Sequence, residues 1–235
     1  MTEYPTGLTA KEIGDKLGYA PSSTFQLIKN LAERDYLLIN EKKIYSLGPK
    51  LIHLGACTSE YLNINQIAKP ILKKIVEKVN ETIFLAIMSD KEVVYIDRVD
   101  SFRSMWTNVR IGSRKPLHCT ALGKAFLTFS NYEKSKEIIN QINLVPHTKS
   151  TITDKDMLIE ELNKFRSLGY TVDDEELVEG MLCISVPIYD YKKDVVAALS
   201  VSGPKERILQ NEEIIINSLL SASNEISMKI GFNNF

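Results

Sequence analysis

A few side chains in this sequence have types and spacings that could do chemistry. The three cysteines, Cys57, Cys119 and Cys183, are odd in number and far apart, which excludes a disulfide scaffold, and no CxxC pair suggests a structural zinc site. His118 beside Cys119 has the look of a base next to a nucleophile. No third orienting residue or GxSxG-type elbow accompanies them, so no catalytic residue is assigned and His118 is read as making a structural hydrogen bond. Asp173-Asp174-Glu175-Glu176 is an acidic run. It is either a solvated turn or, with a His or Cys nearby, a holder for a divalent ion whose ligand set the spacing does not fix. Ser200 and Ser202 lie two apart on a β-prone run, so both hydroxyls project from one face. That face is either a site or the polar side of a half-exposed strand. Cys183 reads as a small buried hydrophobe. No metal or cofactor is expected from these groups.

A second set lies near the amino terminus. Thr9-Ala10-Lys11-Glu12 reads as a capping box opening a helix with Ala10, Ile13 and Leu17 inward, and Gly18 is placed to stop it. Pro21 pre-sets the first turn of another helix with Thr24, Leu27, Ile28 and Leu31 inward. Ser22, Ser23, Phe25, Gln26, Lys29 and Asn30 are left facing out. Two short helices joined by a tight turn make a helix-turn-helix. Tyr36–Ile39 and Ile44–Leu47, around the polar Asn40–Lys43, then form a hairpin that would be a wing, with Lys42 and Lys43 at its tip. In such an arrangement Gln26 would pair with adenine and Phe25 would rest on a thymine methyl. Ser22 and Ser23 either cap the helix or bind phosphate, and Lys29, Lys42 and Lys43 sit where phosphates are met. Charge alone does not indicate DNA, because residues 1–52 hold seven basic side chains against six acidic ones.

The whole chain of 235 residues has 29 basic and 30 acidic side chains and is 44% hydrophobic, an ordinary globular balance that argues against a mostly disordered chain. No apolar run approaches the ~18 residues of a membrane span, and the first residues lack a signal peptide's basic and apolar regions. A cytoplasmic protein of one large or two small domains is expected.

Beyond Gly48 the pattern changes. A linker helix is expected to about Leu62, then a helix over Asn65–Val79 with Pro70 a point of irregularity. Strands follow at Thr82–Met88, Val93–Val99 and Ser104–Ile111, with Asp90-Lys91 as a tight turn. Helices are expected at Ala121–Phe129, Tyr132–Ile142 and Asp154–Leu168, and strands again at Tyr170–Asp173, Cys183–Tyr189 and Val195–Ser202. One last amphipathic helix carries Ile208, Ile215, Leu219, Ala222, Ile226 and Ile230. The fold class is α+β, an antiparallel sheet with flanking helices. The domains are 1–48 (winged helix-turn-helix), 49–64 (linker helix) and 65–235.

Several blocks in this order resemble the IclR family of bacterial transcriptional regulators. They are Gly7-Leu8-Thr9, Ser22-Ser23-Thr24, Tyr45-Ser46-Leu47-Gly48-Pro49, Val94–Val99, Leu117–Ala125, Gly169–Glu176, Gly180–Cys183 and Ala198–Pro204. The resemblance implies a winged helix-turn-helix and linker helix joined to a GAF-like or profilin-like effector domain. It implies a non-enzymatic repressor of a catabolic operon that binds operator DNA, pairs with itself as a dimer or tetramer, and answers to a small organic acid. Carried over residue by residue, the effector contacts fall on Ala121, Leu122, Asp173, Cys183, Ser200 and Ser202, with Met181 as an apolar wall. Ala121 and Leu122 would begin a helix whose free N–H groups favour an anion. Asp173 repels a carboxylate but accepts from a hydroxyl, so a hydroxy or keto acid fits these positions together.

Three positions depart from the family pattern. Only six residues precede Gly7, where members usually have a further helix. Its loss is expected to leave Ile13, Leu17, Ile28 and Leu31 wet, at a cost of a few kcal/mol, and points to a shortened start. Gln26 stands where many members carry Arg, and Asp35 where they tend to have Gly. The alternatives are a sensor module with impaired DNA binding and a thiol-dependent enzyme using Cys183 or Cys119.

Overall fold

The computed structural model describes residues 3–102 and 109–233, without the side chains of residues 59–61. The chain divides into one unit ending at Leu62 and another over Asn63–Asn233.

The first unit contains β1 (Leu8–Thr9), α1 (Ala10–Leu17), α2 (Pro21–Ala32), β2 (Leu37–Ile39), β3 (Ile44–Leu47) and α3 (Lys50–Tyr61). The capping box forms. Thr9 Oγ1 accepts from the Glu12 N–H, and the Glu12 carboxylate accepts from the Thr9 N–H at 2.8 Å. Gly18, with φ +66°, ends α1 in the left-handed region where a side chain would be strained. The two helices touch at Gly14, where a Cβ would lie 2.9 Å from Thr24 Oγ1.

Leu8, Ile13, Ile28, Leu37 and Tyr45 make the small core of this unit. Ile13 and Ile28 are therefore not wet as expected, because β1 and the wing cover them. Leu31 is partly covered. Leu17 and Leu27 do stand out, 51% and 41% exposed. At ~100° per residue Leu27 lies about 60° from Thr24 around α2, at the margin of the buried stripe. Leu17 is the last residue of α1, beyond its buried residues Ile13 and Gly14. The wing also has a third strand missed in the sequence, since β1 pairs with β3 and the order is β1-β3-β2. Two residues are too short to show alternation.

The second unit is built on a six-stranded antiparallel sheet of order β6-β5-β4-β9-β8-β7. Its elements are α4 (Ile64–Val79), β4 (Thr82–Ser89), β5 (Glu92–Val99), β6 (Arg114–Pro116), α5 (Ala121–Phe129), α6 (Tyr132–Gln141), α7 (Lys155–Leu168), β7 (Thr171–Asp174), β8 (Met181–Tyr189), β9 (Val195–Pro204), α8 (Lys205–Gln210) and α9 (Glu212–Lys229). Alternation sorts each strand between two cores. On β4, Ile83 and Leu85 join Leu72, Ile75, Leu219 and Ile226 of α4 and α9. Phe84 and Ala86 face Leu122, Phe126, Leu158 and Leu162 of α5 and α7. Asp90 and Lys91, with φ +53° and +62°, make the two-residue turn between Ser89 and Glu92.

Two expectations need correction. Of the strand placed at Ser104–Ile111, residues 104–108 lie outside the described residues, Val109–Ile111 are not strand, and the sheet ends instead at β6. Arg110 to Ser113 form a turn, closed by the Ser113 N–H donating to the Arg110 carbonyl at 3.0 Å. The last helix is two, broken at Asn211, whose φ of -122° leaves the helical range. Pro70 leaves α4 continuous.

Candidate functional site

The antiparallel register gathers the polar residues of three strands. Ser200 on β9 lies opposite Phe84, Ser202 lies opposite both Thr82 and Cys183, and Cys183 lies opposite Asp173. The period of two sends these groups to the face that carries α5. Between that face and the start of α5 is a cavity of about 70 Å³, lined in part by Ala121, Leu122, Asp173, Met181, Cys183, Ser200 and Ser202. All seven residues named from the sequence thus meet at one hollow. That is well above the roughly 10–15 Å³ that a single water needs, so the hollow has room for a small ligand.

The chemistry of the walls follows from local structure. Thr120 caps α5, its hydroxyl accepting from the Gly123 N–H at 3.0 Å and its carbonyl from the Lys124 N–H at 2.9 Å. The N–H groups of Ala121 and Leu122 are left without acceptors inside the helix, at the positive end of its dipole. Gly123 cannot be replaced there, because a Cβ would lie 2.2 Å from the Leu117 carbonyl oxygen. Thr171 donates to the Ala121 carbonyl at 2.7 Å and ties α5 to β7.

Asp173 is 4% exposed. Burial pushes its carboxyl up to about 6, against the lowering effects of the Glu176 N–H at 2.8 Å and of Lys124. Lys124 itself is fully buried and paired with Glu176, with Glu161 Oε2 at 2.9 Å and with the Val172 carbonyl at 3.3 Å. Burial raises Glu176 to about 7, with Lys124 opposing, and its Oε2 has no hydrogen-bond partner among the described residues.

Burial disfavours the thiolate form of both cysteines of this unit. Burial pushes the Cys119 thiol up to about 12 and raises Cys183 as well, with the Asp173 charge adding to both. Neither is a thiolate at neutral pH, and Ser202 donates to Cys183 Sγ at 3.1 Å. His118 Nε2 meets the Val145 carbonyl at 3.0 Å, and burial lowers the ring's affinity for a second proton. The acidic run divides: Asp173 and Glu176 are buried, while Asp174 and Glu175 pair with Lys205 at 2.7 and 2.8 Å.

Sequence reasoning missed six lining residues: Phe84, Tyr95, Val109, Thr120, Leu177 and Val178. Phe84 was recoverable, since strand pairing sets it against Ser200. Thr120 carried a capping signal just ahead of α5. Leu177 and Val178 lie in a turn with no periodicity to betray them.

In the first unit the amino-terminal half of α2 stands open. Ser22, Ser23, Phe25, Gln26 and Lys29 are all exposed, Phe25 at 55%. Neither serine caps the helix: Ala20 is the N-cap, with no side-chain bond, so the first-turn N–H groups remain open to an acceptor. Among the described residues Lys29 makes only a 3.8 Å surface pair with Glu33, worth little in water. At the wing tip Asn40 Oδ1 accepts from the N–H groups of Lys42 and Ile44, each at 3.0 Å, which holds Lys42 and Lys43 at the turn. No helix among the described residues is long and apolar enough to cross a membrane.

Residues 57–228 match the family described as bacterial transcriptional regulator IclR C-terminal, and residues 1–38 match the IclR helix-turn-helix domain. The chain is 31% identical to the HTH-type transcriptional regulator KdgR of Dickeya chrysanthemi, over 99% of this chain and 76% of that protein. It is also 31% identical to the HTH-type transcriptional repressor AllR of Escherichia coli, covering 95% of this chain and 83% of the relative. The crystal structure of the Thermotoga maritima IclR superposes with a TM-score of 0.71 at 34% identity, covering 96% of this chain and 92% of the other.

Proposed function

Because this chain belongs to the IclR family of bacterial transcriptional regulators, and is a DNA-binding regulator rather than an enzyme, we propose that it represses a catabolic operon and responds to a small hydroxy or keto acid. The observation that supports the effector class is the pairing of opposite demands in one cavity. Two open N–H groups at the start of α5 suit a carboxylate. Asp173, Ser200 and Ser202, on the strands opposite, suit a hydroxyl or hydrated carbonyl on the same molecule.

On the DNA side, Gln26 reads an adenine edge and Phe25 a thymine methyl, while Ser22, Ser23, Lys29, Lys42 and Lys43 take phosphates. Two such units in a dimer or tetramer read half-sites about one helical turn apart, or a multiple of it. The ligand acts through a difference in affinity for the DNA-competent and incompetent arrangements. The working place of such a protein is the cytoplasm.

The test is a thermal-shift screen of small keto and hydroxy acids on the full chain, followed by a gel-shift titration on the DNA upstream of its operon. The expected result is a hit that raises the melting midpoint, changes the shifted fraction, and loses most of its effect in Ser200→Ala. A midpoint shift unchanged in Ser200→Ala would place the effector elsewhere, and no shifted band at low salt would refute the operator reading.

A further inference from the structure

His118, Cys119 and His147 form a second cluster that the effector cavity does not use. His118 and Cys119 are buried just ahead of α5, and His147 is exposed on the segment between α6 and α7. One donor atom from each lies within 4.8 Å of the other two. The two imidazole rings have centroids 6.2 Å apart and are tilted by 35°. We propose that these three side chains bind one divalent transition-metal ion, with zinc the best chemical match. Two imidazole nitrogens and a thiolate select borderline-soft ions, whereas magnesium and calcium take oxygen ligands.

Zn–N bonds of ~2.0–2.1 Å and a Zn–S bond of ~2.3 Å set tetrahedral donors about 3.5 Å apart. Donors that lie as much as 4.8 Å apart must therefore close by about an ångström, and exposed His147 can supply its share by side-chain rotation. The surroundings already orient the ligands. A carbonyl only accepts, so the 3.0 Å contact of His118 Nε2 with Val145 puts the proton of the neutral ring on Nε2 and leaves the lone pair on Nδ1. The His147 N–H donates to Thr151 Oγ1 at 3.0 Å. Thr148 and Thr151 in turn donate to the carbonyls of Glu175 and Glu176, each at 2.6 Å. The segment bearing His147 is thus fixed at its base while its ring is free to swing. Binding exchanges the Cys119 thiol proton, released to solvent, for a metal–sulfur bond, and nothing is oxidised. Three protein ligands leave a fourth position for water or another oxygen donor. The site stands whichever molecule fills the neighbouring cavity.

The experiment uses the full chain, stripped with a chelator and titrated with zinc against a chromophoric competitor. Cobalt(II) in a parallel titration reports sulfur ligation by its charge-transfer absorption. The expected result is one tightly bound equivalent, weakened about tenfold or more by Cys119→Ser and by His147→Ala, with the cobalt–sulfur band lost in Cys119→Ser. His147 is exposed, so its variant tests the site even if a change at buried Cys119 impairs folding. His53 and Cys57 on α3, with Sγ and Nε2 3.8 Å apart, are the control pair, and His53→Ala should leave the tight equivalent intact. No saturable uptake, full affinity in His147→Ala, or loss through His53→Ala or Cys183→Ser would overturn the proposal.

Discussion

Replacing Asp173 by Asn should make the protein more stable at neutral pH and less able to hold its effector. The carboxyl is 4% exposed, and burial lifts it from 3.8 to about 6. A rise of about two pH units corresponds to ~3 kcal/mol between its two protonation states. Because the folded value lies above the unfolded one, the folded chain keeps a proton between pH 4 and 6 that the unfolded chain has released. Stability therefore falls as pH rises through that window, and the whole penalty stands above it. Asn carries no such penalty and keeps an oxygen for the Glu176 N–H. The variant should gain up to ~3 kcal/mol at pH 8 and little of that near pH 4. Glu176, raised from 4.5 to about 7 by its own burial, titrates in the same direction, so the variant retains a shallower slope rather than none. Urea unfolding of both proteins at pH 4.5, 6 and 8, with m-values compared, measures the difference directly. A variant less stable at pH 8, or a difference independent of pH, would refute the reasoning about a buried unfavourable charge.

Three further outcomes follow from named residues. Gly123→Ala should lower the melting midpoint and abolish effector shifts, because its Cβ would meet the Leu117 carbonyl oxygen at 2.2 Å and push α5 off the cavity. Asp35 has φ +61°, so Asp35→Gly should raise the stability of the first unit by about 0.5–1 kcal/mol by relieving left-handed backbone strain, read as a higher denaturation midpoint. The double variant Lys42→Ala, Lys43→Ala should weaken DNA binding evenly across sequences and flatten the salt dependence, by about one unit of slope for each phosphate that a subunit no longer neutralises. An unchanged slope would remove the wing tip from the interface.

Most of the second unit was legible because its strands and helices are long enough to state a period. Ala121–Phe129 shows why: a capping Thr120 precedes apolar residues at helical spacing, Leu122, Ala125, Phe126 and Phe129, before Ser130 ends the helix. The seven cavity residues came through the family resemblance, and the register explains why they belong together, since Asp173, Cys183 and Ser202 are successive cross-strand neighbours. What stayed hidden depends on tertiary neighbours that no local pattern records. Leu8–Thr9 is a strand only because Tyr45 and Ile44 lie beside it. The break at Asn211 interrupts a stretch whose apolar spacing reads as continuous. Leu27 lies at the edge of a stripe, where the next element decides whether it is covered. Glu176 looked like part of a solvated turn because its partner, Lys124, is 52 residues away.

That pair bears on why the cavity is built as it is. A lysine with no exposure, held by Glu176, Glu161 and the Val172 carbonyl, joins α5 to α7 and to the end of β7. Buried ion pairs of this kind add little net stability, since desolvation offsets most of the attraction. Here Glu176 also keeps one oxygen with no partner among the described residues, and Asp173 nearby is ionised at a cost above pH 6. A chain selected only to fold would replace these groups with apolar ones of similar size. Their effect is geometric: they tie α5 to α7 and to β7, whose Asp173 lines the same cavity as the serines of β9. Ligand oxygens can then be met by groups already in position, without the entropy of ordering them at the moment of binding. Charge buried against stability beside a hollow is the arrangement that the proposed binding of a small acid would use.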